Sequence, residues 1–135
     1  MPRSAIVMAT TILASVVISL WAGAAAHAEE SGDPAKGKKL FARCAACHSV
    51  DANVNKIGPS LHGIIGRPAG SIADFKYSDA MKNSGLTWDV ATLDKYITKP
   101  KELVPGNKMI FPGLPKPVDR ADLISYLQEA AGATQ

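Results

Sequence analysis

The sequence has only two cysteines among its 135 residues, Cys44 and Cys47, and they lie three apart. A disulfide between them would close a trivial loop and remove little entropy from the unfolded chain, which excludes a disulfide-stapled scaffold. Charge of one sign is also scarce. Lysine and arginine number 15 against 12 acids, a formal net charge of +3, too weak for a dedicated nucleic-acid binder. Apolar residues run short once the first 28 positions are set aside. Those positions hold 19 of the 63, and the 107 residues from Glu29 onward keep 44, about 41%, against the ~45 to 50% of an ordinary globular chain. A core built from these alone is thin. A domain of this size buries only ~60 to 70% of its unfolded surface, so a multidomain reading is excluded and an added stabiliser is called for.

The apolar excess at the start reads as a secretory signal peptide over residues 1–28. Arg3 is its only charge, Ile6 to Trp21 is mostly apolar, and Ala26-His27-Ala28 offers small residues where signal peptidase inspects the chain. Cleavage after Ala28 gives an exported, periplasmic protein with one domain over 29–135. The alternative is a retained membrane anchor, since the uncharged run Ser4 to Ala28 has 25 residues and a span needs about 20. Polar and small residues within the run and the near absence of a linker before Asp33 favour cleavage.

Beyond the leader, glycine and proline number 18 of 107, about 17% against a background near 12%, so short helices joined by long ordered loops are expected. Strand signals are nearly absent. Asp33-Pro34 opens a helix that should run to about Ala46, with Asp33 as cap and Pro34 in the first turn. Gly37 and Phe41 share a face of it, and Gly37 would let another helix come close. A short helix over Ser78 to Asn83 stops at Gly85. Thr87 is expected to cap a helix bearing Leu93, Tyr96 and Ile97, ending before Pro100. Lys101 to Leu103 adds one turn. Pro105 to Pro117 holds four prolines and two glycines and forms an extended loop. The last helix starts at Val118 or Asp119 and runs to about Ala130, with Leu123, Ile124, Tyr126 and Leu127 as its apolar set.

Cys44-Ala45-Ala46-Cys47-His48 is the haem-attachment pattern C-x-x-C-H. Thiols three apart on a helical turn face the same way, so each can add to one haem vinyl group, with the adjacent histidine held beneath the iron. The competing readings are a thioredoxin-like redox pair, half of a zinc site and a chance tripeptide. A redox pair wants a βαβ setting, which is not visible. A closed zinc site wants four ligands, and beyond these three only His62 is a candidate. A six-coordinate haem needs a second axial ligand, for which the mature chain offers His62, Met81 and Met109. Met109 fits best, because its loop is stiffened by Pro105 and Pro112 on either side. Met81 reads as core filler, and His62 as a partly exposed or backbone-bonded histidine.

With these residues in view, the sequence resembles the class I c-type cytochromes, the mitochondrial and bacterial cytochrome c family, over Asp33 to Ala131. The segments that carry the likeness include Gly37-Lys38-Lys39-Leu40-Phe41, Cys44 to His48, Gly58-Pro59-Ser60-Leu61-His62-Gly63, Gly66-Arg67, Phe75 to Ala80, Gly85-Leu86-Thr87-Trp88, Pro105 to Phe111, and Arg120 to Leu127. The resemblance implies an all-α cytochrome c fold of four to five short helices wrapped around one covalently bound haem c. It implies that Cys44 and Cys47 hold the haem and that His48 and Met109 ligate the iron. Pro59 would accept a hydrogen bond from His48, which fixes the ring and makes it a better donor. Arg67, Tyr77 and Trp88 would surround the haem propionates, offsetting the cost of enclosing their charge. The first and last helices would cross, with Gly37 near Leu123 and Tyr126. Two readings stand for Tyr96, a core aromatic and a hydroxyl in contact with the methionine sulfur.

The chain departs from the family twice. Met81 stands where many relatives carry an asparagine, and Glu102 follows Lys101 where mitochondrial relatives are lysine-rich. The function implied is one-electron transfer, since a histidine and methionine pair raises the haem potential and leaves no open position for substrate; the chain is not expected to be an enzyme. Lys39, Arg43, Lys56, Lys101, Lys108 and Lys116 are candidates to steer acidic partners. Those implied are quinol-cytochrome c reductase, a terminal oxidase, a photosynthetic reaction centre or a periplasmic dehydrogenase, met by a monomer at the membrane surface, with the cytochrome c maturation machinery attaching the haem. The rival functions are a dedicated electron-accepting subunit of a periplasmic dehydrogenase and a gas-binding or peroxidatic haem protein with a labile methionine.

Overall fold

The computed structural model describes residues 31–130 and Gly132; the leader at 1–28 lies outside the described residues. Among the described residues five helices follow in order: α1 Pro34–Ala45, α2 Asp79–Lys82, α3 Val90–Thr98, α4 Pro100–Leu103 and α5 Pro117–Ala130. Among the described residues the β-structure is one isolated bridge between Pro68 and Thr87, and no helix is long and apolar enough to cross a membrane.

Helix α1 starts where its cap requires. The Asp33 carboxylate accepts from the Ala35 and Lys36 amides at 2.9 and 3.2 Å, and Pro34 needs no amide partner in the first turn. Helix α5 crosses α1 at Gly37, which is buried. A β-carbon there would overlap the Asp122 carbonyl and lie 2.7 Å from the Tyr126 β-carbon. The nearest contacts are Asp122 and Tyr126, and the adjoining Leu123 lies in the same buried cluster as Phe41. Phe41 stacks on Tyr126 with ring centroids 5.3 Å apart. The Asp33 amide donates to the Asp122 carboxylate at 2.6 Å, which joins the start of α1 to α5 and satisfies a buried charge.

Two expected boundaries move. Asp89, not Thr87, caps α3: its carboxylate accepts from the Thr92 amide at 2.6 Å, whereas Thr87 is engaged in the bridge to Pro68. A charged oxygen three residues ahead of a free amide is the stronger cap. Helix α5 begins at Pro117, slightly earlier than read, because proline suits the first turn. The bridge is extended by main-chain bonds from Trp88 to Arg67 O and from Gly66 to Trp88 O, both 2.9 Å. This short ladder fixes Arg67 beside Trp88.

The proline-rich loop after α4 is held by a buried arginine. Arg120, 8% exposed, donates to the carbonyls of Leu114 and Pro115 at 3.0 Å each and to the Asp94 carboxylate at 2.7 Å. One side chain thereby links α5, the loop and α3. The Leu114 amide also bonds Ile97 O at 2.8 Å, so the loop returns along the end of α3.

Candidate functional site

Cys44 lies in the last turn of α1. The turn continues through the motif, with the Cys47 and His48 amides bonded to Cys44 O at 3.0 and 2.8 Å. Both thiols are free and half-buried. Burial pushes the Cys44 thiol up, with the Arg43 charge opposing, so the thiol form is favoured.

The His48 imidazole is fixed by its surroundings. Nδ1 lies 2.7 Å from the Pro59 carbonyl. A carbonyl only accepts, so Nδ1 carries the hydrogen and Nε2 keeps its lone pair. Burial holds the His48 pKa below the ordinary imidazole value, against the opposing effect of the Pro59 bond, and the ring is neutral near pH 7. Gly58 forms a cradle against this ring: a β-carbon there would run into the imidazole. The Gly58 amide bonds Cys47 O at 2.8 Å, and Lys56 Nζ donates to Ala45 O at 2.8 Å. Segment 56–59 is thus laid across the back of the cysteine-histidine turn.

Arg67 is directed at main chain, donating to Ser60 O and His62 O at 2.8 Å each. Burial lowers its pKa, the nearby Tyr77 opposing. Burial likewise raises the Tyr77 phenol, with a backbone hydrogen bond from Ile72 and the Arg67 charge opposing. The two side chains are therefore neighbours that sense each other electrostatically. Trp88, 6% exposed, stacks at 4.8 Å on Tyr96. Burial alone pushes the Tyr96 phenol up to about 12, so it remains a neutral hydroxyl.

Met109 is half-buried and packs on the core cluster. Its amide donates to Asn107 Oδ1 at 2.9 Å. Met81 is a buried member of the core, and His62 is exposed with Nδ1 3.2 Å from Val50 O. These donors fit a covalently bound haem. One neutral imidazole nitrogen has a free lone pair, two free thiols lie three apart, and a thioether sits in a braced loop.

Three residues that organise the site escaped the sequence reading. Asn107 is buried and bonds Pro100 O and Val104 O at 3.0 and 2.8 Å besides the Met109 amide; an asparagine two positions before the methionine was the available signal. Arg120 and Asp122 are buried in α5, and their signal was two charges at positions interleaved with the apolar set.

The cytochrome c family model matches residues 34–131. The chain is 52% identical over 108 residues to cytochrome c2 of Rhodomicrobium vannielii, covering 79% of this chain and 86% of the relative. It is 53% identical over 100 residues to cytochrome c2 of Rhodoblastus acidophilus, covering 73% and 94%. Among solved structures, cytochrome cH from Methylobacterium extorquens superposes with a TM-score of 0.68 at 48% identity, covering 73% of this chain and 99% of that one. The crossed α1 and α5, the C-x-x-C-H turn and matches that run from the first residue of α1 past the last of α5 lead to one conclusion: the chain belongs to the cytochrome c family, as a class I c-type cytochrome that binds one covalent haem c.

Proposed function

We propose that the chain is a periplasmic one-electron carrier in which Cys44 and Cys47 attach the haem and His48 and Met109 are its axial ligands. The observation that carries this reading is the His48 ring tied to Pro59 O at 2.7 Å. That bond leaves a neutral nitrogen free beside the two thiols. The haem, when bound, supplies the one-electron couple. Pro59 prevents the ring from rotating and raises its donor strength. The thioether of Met109, a neutral soft donor, favours the reduced state. With both axial positions filled by protein, substrate has no coordination site, and the chain is not an enzyme by itself. Arg67, Tyr77 and Trp88 would hold the haem propionates, the guanidinium by charge and the phenol and indole as hydrogen-bond donors, offsetting the cost of enclosing them.

Docking draws on exposed apolar side chains with lysines near them in sequence. Ile110 is 98% and Ile57 81% exposed, with Lys108 two positions before the first and Lys56 adjoining the second. Lys39, Arg43, Lys101 and Lys116 are exposed as well. Glu102 forms an exposed ion pair with Lys99 at 2.8 Å. The matching partners are acidic membrane or periplasmic redox proteins: a quinol-cytochrome c reductase, a terminal oxidase, a reaction centre or a dehydrogenase. Export rests on the leader at 1–28, with cleavage after Ala28.

The test is a stopped-flow survey of electron exchange with these complexes over a range of salt. A second-order rate that falls steeply with ionic strength supports the carrier reading. Fast binding of carbon monoxide by the reduced protein, or a ferric spectrum without the weak long-wavelength sulfur to iron band, contradicts it.

A further inference from the structure

We infer that Asn107 is the positioning residue that keeps Met109 on the iron, by bracing the ligand loop against α4. The inference rests on Met109 as an axial ligand and names what sets that ligand's hold. Asn107 is 9% exposed and uses its whole amide group. Nδ2 donates to Pro100 O at 3.0 Å and to Val104 O at 2.8 Å, and Oδ1 accepts the Met109 amide at 2.9 Å. Pro100 is the first residue of α4 and Val104 its C-cap. The side chain therefore spans from the helix to the backbone of the ligand itself.

These three bonds are not equivalent. Pro100 O also accepts the Val104 amide at 3.0 Å, and Val104 O the Asn107 amide at 3.1 Å. Both carbonyls keep a partner if the side chain is removed. The Met109 amide donates to Asn107 Oδ1. Loss of the side chain thus falls on the residue that carries the ligand, and a half-buried amide that loses this partner favours the open, hydrated loop. On the other side of the loop, a β-carbon on Gly106 would meet the Ala80 side chain at 3.3 Å. The loop is confined between α2 and α4, and Asn107 supplies its directional tie.

The experiment uses ferric holoprotein and imidazole as the competing ligand. Loss of the sulfur to iron band is titrated in wild type, Asn107→Ala, Asn107→Ser and Ile124→Val. The last is a control that trims the buried core on α5 without touching any of the Asn107 bonds. Denaturation by guanidinium is measured in parallel. Asn107→Ala is expected to bind imidazole about tenfold more tightly than wild type or better, the shift produced by losing one buried hydrogen bond. Asn107→Ser, whose hydroxyl can still accept from an amide two residues on, falls between them. Ile124→Val lowers the denaturation midpoint and leaves imidazole affinity within about twofold. If Asn107→Ala moves the affinity no more than Ile124→Val does, or if Asn107→Ser moves it as far as Asn107→Ala, the proposal is overturned. Should Asn107→Ala fail to retain haem, Asn107→Ser against Ile124→Val decides by the same criterion. A wild-type ferric spectrum without the band removes the ligand reading itself, and this proposal with it.

Discussion

Replacing Gly37 with alanine tests how α1 and α5 are joined. The new methyl group would lie 2.6 Å from the Asp122 carbonyl carbon and 2.7 Å from the Tyr126 β-carbon. Ordinary contact begins near 3.4 Å, so the helices must part by about 1 Å, since neither obstacle is a flexible side-chain end. Overpacking of this kind costs about 1 to 3 kcal/mol. The Phe41 and Tyr126 rings, 5.3 Å apart, separate with the helices and forfeit up to about 1 kcal/mol. Alanine returns about 1 kcal/mol of helix propensity. Because the obstacles are the Asp122 main chain and a β-carbon, the overpacking falls at the upper end, about 3 kcal/mol, and the net loss is about 2 to 3 kcal/mol, a fall in melting temperature of roughly 10 to 20 °C for a domain of this size.

Guanidinium denaturation of the ferric holoprotein measures it. Gly63→Ala provides the comparison, because Gly63 has φ +61 and nothing within 4 Å of a β-carbon. It therefore isolates the left-handed backbone term of about 1 to 2 kcal/mol. Gly37, which is in a right-handed helix, should nevertheless cost at least as much. A Gly37→Ala protein within about 0.5 kcal/mol of wild type would refute the close-packing argument.

Met81→Asn points a polar amide from α2 into the core; we expect about 1 to 3 kcal/mol of lost stability and a lower midpoint potential, since a more polar interior favours the more highly charged ferric state. If neither the potential by voltammetry nor the pH midpoint of the alkaline transition shifts, Met81 does not govern the haem environment. The capping carboxylates Asp33 and Asp89 have pKa values held below the usual 3.8, mainly by amide hydrogen bonds from Lys36 and Thr92. Their folded pKa is depressed, so their contribution is present above 3.8 and is lost as pH falls through the lowered value. Asp33→Asn and Asp89→Asn, which still cap, should trail wild type at neutral pH in thermal melts and converge on it in acid. Removing the haem should leave the 107-residue domain largely disordered by far-ultraviolet circular dichroism; a cooperative melt of the apoprotein would contradict the composition argument.

The local rules of the chain were legible where one residue type forces one geometry. Asp33-Pro34 fixed the start of α1, Pro100 the end of α3, and Gly37 the face that meets α5. Ser78 caps α2 through the Met81 amide at 3.1 Å, within the span read for that helix. Thr87 misled because a hydroxyl two residues before Asp89 looks like a cap in sequence, and only the pairing with Pro68 removes it from competition. Of the site, the C-x-x-C-H turn was plain, and Pro59 followed from the family likeness. What no local pattern carries is the direction of a buried polar side chain: Arg120 reaches Asp94, 26 positions away, and Asp122 reaches Asp33, 89 positions away.

Those distant polar ties explain how a chain with few apolar residues keeps long loops in place. A loop without repeating structure has main-chain groups that no helix or sheet satisfies, and burying them unpaired would cost free energy at each one. Arg67 covers Ser60 O and His62 O, Arg120 covers Leu114 O and Pro115 O, and Asn107 covers Pro100 O and Val104 O. Arg67 and Arg120 each bind two carbonyls of an irregular segment and so take the part that a ladder would play, while Asn107 ties the loop to the two ends of α4. Hydrogen bonds are directional where apolar packing is not, so the same residues that satisfy the loops also fix their positions. For a one-electron carrier that distinction matters. A loop held by apolar burial alone is free to slide, whereas one tied at named carbonyls is held in register.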